Sequence, residues 1–160
     1  MKITSQEEYG LRVLIRIARC MEPEGISIPR ISQEEGLSTH YVAKLCRLLR
    51  LGGFIRSNRG KAGGYTLTRS PEHISLRQVL DVLGGRLYSG DFCREHSGIK
   101  EICVHTNNCT VRPLWTLIQS TLDQILNHYT LQDIIDGKSE VKLVPSRSDS
   151  FTTENVIVNR

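Results

Sequence analysis

One stretch of the chain constrains the fold more than any other: residues 27–55, SIPRISQEEGLSTHYVAKLCRLLRLGGFI. Ser27 is placed to cap a short helix that ends at Gly36, and Ser38 or Thr39 is placed to cap a second helix that ends at the glycine pair. The apolar stripe expected to face inward on the second helix consists of Val42, Leu45, Leu48 and Leu49. Two short helices joined by a tight turn containing glycine predict a helix-turn-helix.

A helix is predicted before this unit, in TSQEEYGLRVLIRIARCM. Its apolar residues recur at helical spacing; they are Leu11, Leu14, Ile15 and Ala18. Ser5 with Glu8, or Thr4 with Glu7, has the spacing of a capping box. The helix-turn-helix therefore follows a first amphipathic helix.

A β-hairpin is predicted after the unit, in FIRSNRGKAGGYTLT, whose tip is basic and rich in glycine. A helix, a helix-turn-helix and a hairpin in this order are typical of a winged helix. The predicted fold class is therefore mainly α with a small β-wing.

The second half of the chain predicts a helix near SLRQVLDVLGG, a loop over residues 84–109, and the long helix TVRPLWTLIQSTLDQILNHY. The apolar stripe of the long helix steps by three or four residues and consists of Val111, Leu114, Ile118, Leu122, Ile125 and Tyr129. Such a stripe suits a partner helix from a second copy, or packing on the chain's own core. Residues 130–137 predict a short capped helix, and residues 138–160 a mobile polar tail.

Charge is distributed unevenly, although the net charge is only +4. The window from Gly36 to Pro71 has no Asp or Glu. Its seven cations are Lys44, Arg47, Arg50, Arg56, Arg59, Lys61 and Arg69. A block of one sign predicts a polyanionic partner, most simply the backbone of double-stranded DNA, although a basic surface kept for solubility is an alternative. Three Phe and one Trp are too few for an aromatic ladder that binds single strands.

The predicted DNA contacts lie at two places. The second helix of a helix-turn-helix presents its N-terminal residues to base edges in the major groove; here these are Ser38, Thr39, His40, Tyr41 and Lys44. Arg47, one turn later, is expected to meet the backbone. At the hairpin tip, Arg59 and Lys61 lie beside glycines that allow close approach to the minor groove or its phosphates. Ser38 also suits a helix cap, and Tyr41 also suits core packing.

Composition excludes several classes of protein. No apolar run approaches the 18 residues of a membrane span, and the N-terminus lacks a signal-peptide core. We therefore expect a cytoplasmic protein with reduced thiols and no membrane partner. Neither a phosphate-binding loop nor an oxyanion-hole motif is present, so we expect no enzyme and no small-molecule substrate.

Three of the five cysteines fall in the loop: Cys93, Cys103 and Cys109. Their spacings of nine and five residues differ from the paired CxxC of structural zinc sites and from ferredoxin motifs. A wide loop can still hold an iron–sulfur cluster through thiolates. Zinc that stabilises a dimer and three unrelated reduced thiols are the alternatives. Cys20 and Cys46 are expected within helices as ordinary core residues.

The chain resembles a family of bacterial winged-helix regulators typified by the iron–sulfur cluster assembly regulator (IscR) and the nitric-oxide-sensitive repressor (NsrR). The resemblance rests on KITSQEEYGLRVLIRIA, on ISQEEGLSTHYVAKLCRLLRLGGFIRSNRGKAGGYTLTR and on CxxxxxCTVRPLW, and it extends to about residue 137. It implies a homodimer whose long helices cross between subunits. It also implies that Cys93, Cys103 and Cys109 ligate a [2Fe-2S] or [4Fe-4S] cluster.

The fourth ligand departs from the better-known pattern. Where the cluster assembly regulator carries a ligating histidine, this chain has Arg112, which cannot ligate. By resemblance to the nitric-oxide-sensitive type, Glu8 of the partner subunit is the candidate ligand, and His96 and His105 are rivals. The alternative is that Glu8 closes a capping box with Ser5.

The resemblance and the pattern together predict four segments. They are a DNA-binding domain over residues 1–83, a cluster-binding loop over 84–109, dimerisation and short C-terminal helices over 110–137, and a tail over 138–160. The expected function is a cluster-dependent transcriptional regulator, a repressor of palindromic promoters that senses oxidation, iron or nitric oxide. A metabolite-responsive regulator of the same fold and a zinc-stabilised regulator are the alternatives.

Overall fold

The computed structural model describes residues 3–58, 63–97, 99 and 102–138 of the 160-residue chain. The predicted hairpin tip with Arg59 and Lys61, and all of the predicted tail except Lys138, lie outside the described residues.

The described residues form seven α-helices, a two-stranded sheet and one 3₁₀ turn. In chain order they are α1 (Ser5–Ala18), α2 (Ile28–Glu35), α3 (Thr39–Leu51), β1 (Ile55–Ser57), β2 (Tyr65–Leu67), the 3₁₀ turn (Pro71–His73), α4 (Leu76–Leu83), α5 (Phe92–Glu95), α6 (Arg112–His128) and α7 (Leu131–Ile135). The sequence pattern did not predict the 3₁₀ turn or the short helix α5.

The first helix begins at the earlier of the two capping boxes. Thr4 is the N-cap, and its side chain and backbone exchange hydrogen bonds with Glu7. The alternative box with Ser5 and Glu8 is therefore not formed. Glu7, not Glu8, is the acidic residue of the capping box. The side chain of Glu8 has no hydrogen bond or ion pair within the described part of the chain, and it is exposed to solvent.

The turn between α2 and α3 forms as the sequence predicts. Gly36 has a φ of 66°, the left-handed conformation that ends a helix without the strain a Cβ would add. The hydroxyl of Ser38 then accepts a hydrogen bond of 3.2 Å from the backbone N–H of Tyr41 and caps α3. Ser27 occupies the N-cap of α2, but its side chain makes no capping hydrogen bond.

The wing is an antiparallel pair in which Ile55 faces Leu67 and Ser57 faces Tyr65. Ile26 forms an isolated bridge with Tyr65 and adds a third short segment beside the pair. The segments approach so closely that a Cβ on Gly64 would lie 2.6 Å from the carbonyl carbon of Gly25. Glycine at this position is therefore required by the packing of backbone on backbone.

One hydrophobic core is formed by side chains of α1, α2, α3, α4 and β1. Its fully buried side chains include Leu14, Ile31, Leu45 and Ile55, and α7 contributes Leu131. Cys46 is buried in this core, as predicted for a small apolar residue, whereas Cys20 lies two residues beyond the end of α1 and is half-buried.

The predicted fold class is confirmed: the described chain is mainly helical, with a two-stranded antiparallel wing. No helix within the described ranges is both long enough and apolar enough to cross a bilayer.

Candidate nucleic-acid interface and cysteine site

The N-terminal half of α3 presents an open polar surface. Ser38, Thr39, His40 and Lys44 are all exposed, and so is Arg47 one turn later. They stand on a helix whose opposite face is buried through Val42, Leu45, Cys46 and Leu49. The helix is therefore fixed to the core on one side and free to approach a groove with the other.

Tyr41 differs from its neighbours because it is half-buried. Its ring packs edge-on against Tyr9 of α1, with 6.1 Å between ring centroids, and the ammonium of Lys44 lies 6.0 Å from the Tyr41 ring. Core packing, the alternative reading of Tyr41, is therefore part of its role. The contact also directs Lys44 along the exposed surface of α3.

The five described cations of the basic window lack acidic partners. Within the described residues, none of them lies within 4 Å of a carboxylate; they are Lys44, Arg47, Arg50, Arg56 and Arg69. On the other side of the unit, Arg12 and Arg16 both pair with Glu35, at 3.1 and 2.8 Å, and tie α2 to α1. Positive charge is thus neutralised where the helices brace one another and left available on α3 and the wing.

The three loop cysteines lie around one end of α6. Cys93 is in α5, Cys103 is in the loop, and Cys109 is three residues before α6; each is half-buried. Cys93 and Cys103 line a cavity of about 650 Å³ between the loop and α6. The other lining residues that bear on its chemistry are Arg86, Tyr88, Arg94, Arg112, Gln119 and Asp123.

Cys109 is held in a position that favours its thiolate. The backbone N–H of Arg112 donates to the sulfur of Cys109 at 3.3 Å. This N–H and the backbone N–H of Val111 hold the pKa of Cys109 below its ordinary value of 9.0. Thiolates are the form that binds metals, so these two N–H groups favour the metal-binding form of Cys109.

Arg112 faces the other cysteine across the cavity wall. Its guanidinium interacts with the thiol of Cys93 and, more weakly, with Cys109, and both raise the pKa of Arg112 above its ordinary value. The hydroxyl of Tyr88 lies 3.9 Å from the sulfur of Cys93. A guanidinium beside two thiols offsets the negative charge of thiolates, although it cannot itself act as a ligand.

The donor set fits a thiophilic metal centre in kind. Three thiols, one of them favoured as a thiolate, are the ligands that iron–sulfur clusters and zinc take. Within the described residues, however, no group of three or more Cys, His, Asp and Glu side chains is close enough together to hold a metal ion. The third thiol, Cys109, does not line the cavity that Cys93 and Cys103 share.

The three candidates for a fourth ligand all lie away from the cavity wall. The ring of His96 stacks on Phe92, with 4.4 Å between centroids. His105 is exposed in the turn after Cys103, and Glu8 is exposed on α1. None of the three therefore shares the cavity with Cys93 and Cys103.

Sequence reasoning missed Tyr88, Gln119 and Asp123, which connect the cavity to the rest of the fold. Asp123 could have been noticed, because it is the one carboxylate in the 17 residues of α6.

Comparison with known proteins places these features in a family. Residues 3–137 match the Rrf2 family, described as iron-dependent transcriptional regulators. Protein rrf2 of Nitratidesulfovibrio vulgaris is 33% identical over 87% of this chain and 90% of its own length. The regulator IscR of Pectobacterium atrosepticum is 28% identical over 95% of this chain and 89% of its own.

A solved structure shares the fold over most of both chains. CymR, the global cysteine regulator of Bacillus subtilis, superposes with a TM-score of 0.65 at 30% identity, over 86% of this chain and 98% of its own. The residues that match the family, 3–137, include the helix-turn-helix, the wing and α6. The chain belongs to the Rrf2 family of transcriptional regulators.

Proposed function

We propose that this protein is an iron–sulfur-cluster-dependent transcriptional repressor that binds promoter DNA as a homodimer. The single observation that carries the proposal is the cysteine site at the start of α6, where Cys93 and Cys103 share a cavity and Cys109 is favoured as a thiolate. The similarity to IscR and the description of the family as iron-dependent agree with it.

The DNA-binding part of the proposal rests on α3. Its N-terminal residues are exposed and would contact base edges, and Lys44 and Arg47 have no acidic partner in the described chain. The predicted contacts from Arg59 and Lys61 at the wing tip belong to the same proposal. A protein that neutralises phosphates in this way binds less tightly as salt increases.

The dimer part rests on α6. This helix has 17 residues and no buried one, and its exposed apolar side chains include Leu114 (52% exposed), Trp115 (42%) and Leu117 (63%). A helix that leaves so much apolar surface uncovered is stabilised by a partner. A second copy of α6 would cover it and place two α3 helices on a palindromic site.

Cys93, Cys103 and Cys109 would hold the cluster, and Glu8 of the second subunit is the proposed fourth ligand. A bound cluster would supply iron–thiolate bonds that are sensitive to oxidants and nitric oxide, and iron shortage would leave the site without it. The chain's own part is to keep Cys109 as a thiolate at the start of α6, to offset thiolate charge with Arg112, and to enclose Cys93 and Cys103 in one cavity.

Anaerobic preparation tests the cluster. The wild-type dimer is expected to show visible charge-transfer absorption, with iron and acid-labile sulfide in equal amounts. Cys103→Ala is expected to lose the colour and change promoter binding. Lys44→Ala keeps the colour and binds promoter DNA more weakly, while Lys138→Ala, which also removes one positive charge, leaves both unchanged. A colourless wild-type protein that holds zinc, or a fully coloured Cys103→Ala, would refute the proposal.

A second candidate is a metabolite-responsive regulator, which the similarity to CymR and the size of the cavity favour. Three arginines line the cavity: Arg86 pairs with Asp123 and Arg94 with Asp91, whereas Arg112 has no carboxylate partner in the described chain and could hold a small anion. This candidate predicts that the cluster-free protein responds to a small carboxylate or thiol compound and that Cys103→Ala still regulates. Calorimetry with amino acids and their thiol derivatives on cluster-free protein separates it from the cluster proposal.

A further inference from the structure

A network of polar side chains connects the cysteine cavity to α4, and Asp123 lies at its centre. The carboxylate of Asp123 accepts from Arg77 Nε of α4 at 2.5 Å, from a terminal nitrogen of Arg86 at 2.6 Å and from Gln119 Nε2 at 2.7 Å. The side chains of Asp123 and Arg77 are 19% and 12% exposed. Asp123 therefore joins α4, the start of the cysteine loop and α6 through charge-assisted hydrogen bonds that solvent screens only partly.

The network continues to the thiols. The side-chain oxygen of Gln119 accepts a hydrogen bond of 2.9 Å from the backbone N–H of Tyr88. The hydroxyl of Tyr88 is 3.9 Å from the sulfur of Cys93, and Tyr88, Cys93, Gln119 and Asp123 all line the same cavity. A change in the position of Cys93 therefore reaches Asp123 through two residues.

At its other end the network meets the helix that presents residues to DNA. Helix α4 packs against α1, α3 and α6, and it is anchored in the core by Val79 and Leu83. Its contact with the end of α3 is tight: a Cβ on Gly52 would lie 2.8 Å from a methyl group of Val82. Because no gap separates the two helices there, a displacement of α4 must be followed by α3.

We infer that Asp123 is a positioning residue that couples the cysteine loop to α3 through Arg77 of α4. The mechanical part of this inference, the attachment of the loop to α4, stands on the contacts alone. Its regulatory part rests on the proposed function, in which the state of the cysteine loop sets the affinity for DNA.

The chain offers a matched control. Asp81 also pairs with Arg77, one helical turn away within α4. It is 40% exposed, and its one ion pair in the described chain stays inside α4. Asp123→Asn and Asp81→Asn each remove a carboxylate from Arg77 with little change of shape, but only the first removes the ion pairs that join α4 and the loop to α6.

Hydrogen exchange on the full-length, cluster-free protein tests the attachment. We expect Asp123→Asn to speed exchange at the amide of Tyr88 and around Arg86 by tenfold or more, because about 1.4 kcal/mol of lost protection corresponds to a factor of ten. Asp81→Asn should leave both at the wild-type rate. Equal acceleration by the two variants, or none by Asp123→Asn, would overturn the inference.

Promoter binding tests the regulatory part. The ratio of dissociation constants between cluster-loaded and cluster-free wild-type protein is expected within the roughly 5- to 150-fold range of such couplings. In Asp123→Asn the ratio should fall toward one while the cluster still binds, and in Asp81→Asn it should keep the wild-type value. A wild-type ratio near one refutes the proposed function and leaves the exchange result to decide the attachment. A normal ratio in Asp123→Asn overturns the coupling.

Discussion

The unit formed by residues 3–83 and the segment formed by residues 84–128 are stabilised by different interactions. Among the described residues, every buried apolar side chain except Leu131 belongs to the first unit, and none belongs to the second segment. The first unit is held by its own core. The second is held by hydrogen bonds, ion pairs and partial burial. Its conformation can therefore change when a group or a second subunit binds. The region proposed to bind DNA is held by its own core, and the region proposed to sense is not.

The largest contrast is expected from leucine truncation. Leu45→Ala in α3 should lower the free energy of unfolding by about 2–5 kcal/mol, because it leaves a cavity at a fully buried position. Leu114→Ala in α6, where the side chain is 52% exposed, should cost far less at protein concentrations where the chain is monomeric. Urea unfolding followed by circular dichroism measures both. Equal losses would show that the two regions share one core.

The next effect should appear in assembly rather than in folding. Leu114→Asp places a charge on the uncovered apolar face of α6 and should weaken dimerisation at least tenfold, about 1.4 kcal/mol or more. Asn127→Asp puts the same charge on the same exposed helix, about 140° away around its axis at 100° per residue. Sedimentation velocity over a dilution series compares the two. If both variants dimerise like the wild type, α6 is not the interface.

Within the first unit, two serine caps give a smaller and sharper test. Ser38→Ala removes the hydroxyl that accepts from the Tyr41 N–H and should cost about 1 kcal/mol. Ser27→Ala should cost less, because the Ser27 side chain makes no capping hydrogen bond. Thermal or urea unfolding of both variants gives the difference. A larger loss for Ser27→Ala would mean that the cap of α3 contributes little.

The smallest effect concerns pH. The hydroxyl of Thr130 and then its backbone N–H hold the pKa of Asp133 below its ordinary 3.8. The folded state therefore favours the carboxylate, so this stabilisation is complete above the unfolded pKa and is lost as pH falls through the folded value. The melting temperature of Asp133→Asn should accordingly depend less on pH between roughly 5 and 2 than that of the wild type. If the melting temperatures of the two proteins change with pH in the same way, Asp133 does not contribute to the loss of stability in acid.

The same division explains how far sequence reasoning reached. In the first unit, glycines, caps and apolar spacing are local signals, and Gly36, Ser38 and the wing lie where they predict. Local sequence signals predict the elements correctly where packing in the core favours the same elements. Thr4 rather than Ser5 is the N-cap of α1, a choice that spacing alone left open.

The cysteine site was harder to predict from the sequence. Spacing identified the three cysteines, but α5 and the shared cavity depend on contacts between residues far apart in the chain. Asp123 and Arg77 are 46 positions apart, and no local pattern pairs them. The fourth ligand stays a prediction for a related reason: Glu8 is proposed to act across two subunits, and a single chain carries no signal of that contact.

Cys46 gives the protein an internal reporter. Its thiol has no exposed surface, and burial raises its pKa to about 12, so alkylating reagents find neither access nor a thiolate at neutral pH. Titrating the metal-free native protein should consume at most four equivalents of reagent, and the fifth should react only as α3 separates from its neighbours. The rate at which Cys46 is alkylated therefore measures how often α3 separates from the core.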